Sequence, residues 1–216
     1  KLPAYEVNDD GAIREWLDPR LPDNYHHRHL SHTYALFPGF EVTRESDPAM
    51  YEAMRLAVEK RLVVGLNSQS GWSLMYMANV YARLGQSERA HECLSLLSRS
   101  CVGPNLLTYH NDWRAQGLTL YWGPTRAVPF QIDANFGFTS AVIESLLFSK
   151  PRLVKLLPAL PARWNQGSVA GLLWRGGLES VSLSWNMKKR TLETQLVSRA
   201  RQQVTIKLPQ TPKKIT

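Results

Sequence analysis

Apolar residues keep two different periods in this chain, and the change between them near residue 150 constrains the fold more than any other feature. Before it, apolar positions recur at 50, 53, 54, 57 and 58, and again at 90, 93, 94, 97 and 101. Steps of three and four put such residues on one face of a helix. After it come short runs, "LESVSLSWNM", "TLETQLVSRA" and "QQVTIKLP", split by Gly, Pro and charges. Val181, Leu183 and Trp185 alternate with serine there, and Val204, Ile206 and Leu208 alternate with polar residues. A period of two belongs to a strand with one buried face. The chain is therefore expected to be mainly α followed by an antiparallel β segment, with residues 1–150 in the helical part and 151–216 in the β part.

The helical part has its own punctuation. Asp47-Pro48 marks a helix start, because Asp accepts from free amides and Pro is tolerated in the first turn. "WSLMYMANVYARLG" is apolar on nearly every side, so that helix has to be buried. Gly85 stops it. The next helix, 87–100, follows so closely that the two must lie antiparallel. "SHTYALFPGF" offers a short helical stretch ended by Pro38-Gly39, and Phe138, Val142, Leu146 and Ser149 align on a helix over 137–149. Residues 1–30 read as loop and turn. Gly103 to Pro129 reads as a long irregular segment, and Trp113, Tyr121 and Trp122 argue against disorder in it.

The totals exclude several classes. With 216 residues, 44% hydrophobic and 20% charged, the chain suits one large domain or one domain and a smaller partner, not a disordered one. No apolar run reaches the roughly 18 residues of a membrane span, so a soluble protein with no membrane partner is expected. The net charge of +8 is spread out, with small clusters at 188–190 and 213–214. It forms no basic stripe interleaved with aromatics, so no nucleic-acid partner is expected. Cys93 and Cys101 fit neither a zinc pattern nor a dense disulfide scaffold and read as two buried thiols. The chain begins at Lys1 and stops just after a strand-like run, so both ends are expected to be internal to a longer polypeptide.

Four stretches carry candidate chemistry. "NYHHRHLSH" holds His26, His27, Arg28, His29 and His32. Arg28 inside the cluster would repel a cation, which favours a loop that binds sugar hydroxyls or anions over a metal site or four separate surface histidines. Trp72 at a helix start is either a core side chain or an aromatic platform for a sugar face. "HNDWRAQGLTLYWG", with His110 and Asp112, is either a pocket wall or a packed loop. The sharpest is "PFQIDANFG": Asp133 and Asn135 sit among Phe130, Ile132, Phe136 and Phe138. A carboxylate there is expected to be buried, and a buried charge needs a partner or a task. Asp133 reads as a helix N-cap or as a general base, and Gly137 allows close backbone approach.

Five pieces in order, "HRHLSHTYALFPG", "GWSLMYMANVYARLG", "PNLL", "PFQIDANFG" and "LLPALPARWNQGSVAGLLWRGG", resemble the α-L-fucosidases of glycoside hydrolase family 95, from about residue 1 to 187. The resemblance is to the last third or so of the family's chain. It implies the end of an (α/α)6 barrel with an appended antiparallel β-sandwich-like domain. It also implies inverting hydrolysis of α-1,2-linked L-fucose on oligosaccharides or glycans, without metal or cofactor, in a secreted enzyme. Asp133 matches the family's base, Arg28 and His29 match a pair that holds fucose hydroxyls, and Trp72 and Asn135 are further candidates for substrate binding. The family's general acid and an asparagine pair that assists the base lie before the first residue of this chain. The missing N-terminal part of the same polypeptide is thus an expected partner. Two departures stand out: the insert "TYHNDWRAQGLTLYWGPTRAV", which bears on substrate choice, and Ala134 where glycine is commoner. Glu15 is an alternative acid by residue type alone. The alternative readings are a non-catalytic carbohydrate-binding or structural fragment, and a family activity on L-galactose, which differs from fucose by one hydroxyl.

Overall fold

A computed structural model describes residues 3–121, 123 and 128–215. Trp122, named above in the long segment, lies outside them. Among the described residues four α-helices come first and two small sheets follow. No helix among them is long and apolar enough to cross a membrane.

Helix α1 (Pro48–Val63) starts where the sequence predicts, with the Asp47 side chain accepting from the Met50 amide. Helix α2 (Gly71–Arg83) opens on a reciprocal Ser70–Ser73 capping box. Ten of its thirteen residues are buried, as an all-round apolar run requires. Gly85 turns the chain at φ +69, a conformation glycine adopts without strain, and α3 (Ser87–Ser100) runs back along α2. Cys93 and Cys101 are buried free thiols. Helix α4 (Ile132–Leu146) packs on α2 through small residues, Ala134, Gly137 and Ala141.

The contacts between α2 and α4 advance in step along both. The Trp72 amide meets Gln131, Asn79 Nδ2 donates to the Gly137 carbonyl, and Arg83 binds Glu144. The two helices are therefore parallel, with both N-termini at one end. Helix α1 runs the other way, since Tyr51 near its start donates to the Leu84 carbonyl just past the end of α2.

Helix α4 differs from the predicted 137–149 at both ends. It begins five residues earlier, which puts Asp133 inside its first turn. It ends at Leu146 because Leu147–Lys150 forms strand β1, paired antiparallel with β2 (Leu153–Leu156). The change to strand thus falls inside the segment assigned to the helical part. "SHTYALFPGF" holds only one 3-10 turn, Ser31–Thr33.

Strands β3 (Gln166–Leu172), β4 (Leu178–Asn186) and β5 (Thr191–Ser198) form an antiparallel sheet. The other sheet has the order β1-β2-β6, and β6 (Thr205–Lys207) lies parallel to β2, not antiparallel as expected. Val181, Leu183 and Trp185 are buried in a cluster that both sheets share with Leu146, Val154 and Leu156. Ile206 and Leu208 stay exposed, because β6 is a short edge strand with β2 as its only neighbour among the described residues. The helical and β parts meet at Glu144, which is buried and accepts from Arg83 at 2.6 and 3.0 Å and from Arg175 at 3.4 Å.

Candidate active site

The parallel packing of α2 and α4 brings their N-termini together, and the irregular segment threads between them. Gly71 donates to the His110 carbonyl at 2.9 Å and His110 donates to the Pro129 carbonyl at 2.8 Å. The Gln131 side chain accepts from the Trp72 amide at 2.7 Å, which satisfies a free donor of the first turn of α2. Trp72 is held from two sides. Its ring meets Tyr76 edge-on at 5.8 Å and also lies against Gly137.

A cavity of about 390 Å³ opens in front of this tryptophan, lined by Arg28, His29, Ser31, Tyr34, Trp72 and Tyr76 among others. Three of the residues singled out from sequence, Arg28, His29 and Trp72, thus surround one space. Partial desolvation, and then the Arg28 charge, lower the pKa of His29 below the usual value. His29 is neutral at pH 7 and offers one donor and one acceptor, a set suited to hydroxyls. Burial, then the Arg61 charge, lower His32 to about 4, so it is neutral too. Among the described residues no three His, Cys, Asp or Glu side chains converge as a metal would need.

Asp133 lies one helical turn before Gly137 and does not line this cavity. Its carboxylate accepts from the Ala134 amide at 3.0 Å and is otherwise exposed, and the N-cap position belongs to Gln131. The expectation that Asp133 is buried among aromatics fails. Phe136 is 70% exposed, Phe130 52% and Ile132 46%. In its first turns helix α4 gives its small side chains to α2 and turns Ile132, Phe136 and Phe138 outward, so apolar neighbours in sequence are not neighbours in a core.

Asn135 is committed elsewhere. Its Oδ1 accepts from the Thr108 amide at 3.0 Å and hydroxyl at 2.8 Å, and its Nδ2 donates to the Leu106 carbonyl at 2.9 Å. It clasps the 106–108 loop to α4. Asp112 resolves the long segment in favour of a packed loop: it is fully buried and accepts from the amides of Arg114, Gln116 and Leu118.

Glu15 does not sit as an acid. It forms a 2.6 Å ion pair with Arg61, with side chains 6% and 1% exposed. Burial alone would raise its pKa, but the Arg61 charge and hydrogen bond, with His27, outweigh that and hold the carboxyl below its ordinary range. A group held that way retains no proton to donate near neutral pH. Gln131, Thr108 and Arg61 all shape the site and none was evident from sequence, since each acts through a backbone group distant in the chain.

Two family models match the chain: the glycosyl hydrolase family 95 catalytic domain over residues 1–146 and the glycoside hydrolase family 95 C-terminal domain over 149–216. "Alpha-L-fucosidase 2" of Arabidopsis thaliana is 39% identical over 186 residues, which cover 86% of this chain and 21% of that protein. "Probable alpha-fucosidase A" of Aspergillus oryzae is 36% identical over 197 residues, 82% of this chain and 25% of that one. The Aspergillus niger protein of the same name is 31% identical over 197 residues, covering 85% and 23%. The chain therefore spans about a fifth to a quarter of the length of these curated relatives, less than the third expected from the motifs. The matched models cover both its helical and its β part, and the chain belongs to glycosyl hydrolase family 95.

Proposed function

We propose that this chain is the C-terminal portion of an inverting α-L-fucosidase that acts on α-1,2-linked fucose, with Asp133 as the general base. The observation that carries the reading is the shared end of α2 and α4. Asp133, an exposed carboxylate, lies in the first turn of α4, and Trp72, which lines the cavity with Arg28 and His29, lies in the first turn of α2. In this reading Arg28 and His29 hold sugar hydroxyls and Trp72 backs the ring. Asp133 takes a proton from the attacking water. The general acid comes from the part of the enzyme that this chain does not span, placed about 6.5–9.5 Å from the base so that a water fits between. The alternation of α2 and α4 with a helix running back supports an (α/α)6 barrel in the whole enzyme. The two small sheets would be part of its sandwich domain.

In the full-length enzyme, Asp133→Asn should lower kcat about 10²–10⁴-fold while KM and the thermal midpoint stay near wild type. A near-normal rate would remove Asp133 from the mechanism. NMR of the first turnovers should show β-L-fucose, since inversion at an α-linkage releases the β anomer. A second reading is carbohydrate binding without catalysis, favoured by one fact: Arg28, His29 and Trp72 line one cavity formed by residues of this chain. Release of L-fucose from 2′-fucosyllactose by the 216-residue chain alone would exclude that reading.

A further inference from the structure

We propose that Arg61 and Glu15 are positioning residues that hold the Arg28–His29 loop in the geometry that receives the sugar; the inference rests on the reading of that loop as sugar-binding. Arg61, in the last turn of α1, sends one guanidinium nitrogen to two carbonyls, His27 at 2.5 Å and His29 at 2.8 Å. These are the carbonyls on either side of Arg28. The other terminal nitrogen reaches Glu15 at 2.6 Å, and the second oxygen of Glu15 faces His27 Nδ1 at 3.3 Å. One buried fork thus fixes the backbone before and after Arg28 and, through Glu15, the neighbouring imidazole.

The arrangement has a specific purpose beyond stability. A buried ion pair is on average no better for stability than apolar side chains of similar volume, because desolvation offsets the attraction. The loop it grips has little else to define it. Among the described residues between 3 and α1 the regular structure is one 3-10 turn and an isolated bridge; ahead of Arg28 the His26 and His27 amides bond to Asn24, and after it the Leu30 carbonyl accepts from Thr33. Arginine alone among side chains presents a planar fork that can serve two carbonyls and a carboxylate together.

The test uses Arg61→Lys in the full-length enzyme. Lysine keeps a positive charge opposite Glu15, so no buried carboxylate is orphaned, but it cannot reach all three acceptors. We expect KM for an α-L-fucoside to rise about tenfold with kcat within about twofold, the pattern of lost uniform binding. A purely structural role would instead lower the thermal midpoint and the active fraction, hence apparent kcat, with KM unchanged, and that result would overturn the proposal. Arg28→Ala, measured alongside, separates the two levels. If it leaves KM unchanged, the sugar-binding reading of the loop fails and the positioning role with it. If it raises KM while Arg61→Lys does not, only the positioning role falls. Should Arg61→Lys not fold, Glu15→Gln keeps the shape and an acceptor for Arg61. It is expected to raise KM about threefold, and an unchanged KM there overturns the proposal equally.

Discussion

A methyl group added at Gly137 would lie 2.7 Å from Met75 Cβ and 3.0 Å from the Trp72 ring. Alanine is the better helix residue by roughly 0.5–1 kcal/mol. Overpacking costs about 1–3 kcal/mol, and here the opposing atom is a Cβ fixed to a buried helix, so packing wins. Gly137→Ala is therefore expected to lower the stability of the full-length enzyme by about 1–2 kcal/mol and to raise KM as Trp72 is pushed toward the cavity. An unchanged thermal midpoint would mean that α2 and α4 do not approach as described. Gly137 was legible in the sequence as a place of close approach; which element approaches was not, because that partner is 62–65 residues away. The same limit governs the carboxylates. Asp133 stands out by its position at a helix start, but it is exposed, because its apolar sequence neighbours are not its spatial neighbours. Glu15 and Asp133 are equals as residue types. The structure separates them: Glu15 is buried in an ion pair with Arg61, whereas Asp133 is exposed in the first turn of α4.

At the scale of elements, strand β6 shows what holds a three-residue edge strand. Among the described residues it pairs with β2 alone, and Lys207 within it reaches across to Glu45, just ahead of α1, at 2.6 Å, with Lys155 of β2 at 3.6 Å. The Lys207 hydrogen bond is the main cause that lowers Glu45 to about 2. A carboxyl with a depressed folded pKa contributes fully above its ordinary value near 4.5 and loses that contribution as pH falls toward 2. Glu45 is half exposed, so the clasp amounts to no more than about 1 kcal/mol and weakens in salt. Hydrogen-exchange protection of Thr205–Lys207 should drop between pH 4.5 and 2 relative to β2, and Glu45→Gln at pH 7 should reproduce the drop. Equal protection in both proteins at pH 7 would show that β2 pairing alone retains β6. Alternation in β4 predicted its buried face correctly, because both neighbouring strands are present. The same pattern over Val204, Ile206 and Leu208 misled, because an edge strand has too little around it to bury. The end of α4 differs for a related reason: Ser149 continues the helical spacing of Phe138, Val142 and Leu146, yet pairing with β2 outweighs it.

At the scale of the whole molecule, an apolar region among the described residues is left uncovered. Around the start of α4, Leu106 is 74% exposed, Phe136 70%, Phe130 52% and Ile132 46%. Scattered apolar side chains are normal on a surface, but a cluster of large ones rimming a site marks a contact face. The chain spans about a fifth to a quarter of its relatives, and the proposed base lies between Ile132 and Phe136 in α4. The expected occupant is the rest of the catalytic domain, closing over Asp133 and drying the place where water is activated. This would restore the burial that the aromatic sequence implied and the isolated chain does not show. The paired substitution Leu106→Ser with Phe136→Ser has opposite expected effects in two settings. In the 216-residue chain it should shift sedimentation from self-associated species toward monomer. In the full-length enzyme it should lower the thermal midpoint by several degrees, since full burial of a Phe or Leu side chain contributes about 1.5–3 kcal/mol. Loss in the long protein and gain in the short one together require a face that the longer chain covers. Indifference of the full-length enzyme would leave the face open to solvent there, and the aromatic segment would then border the substrate cleft instead of a domain contact.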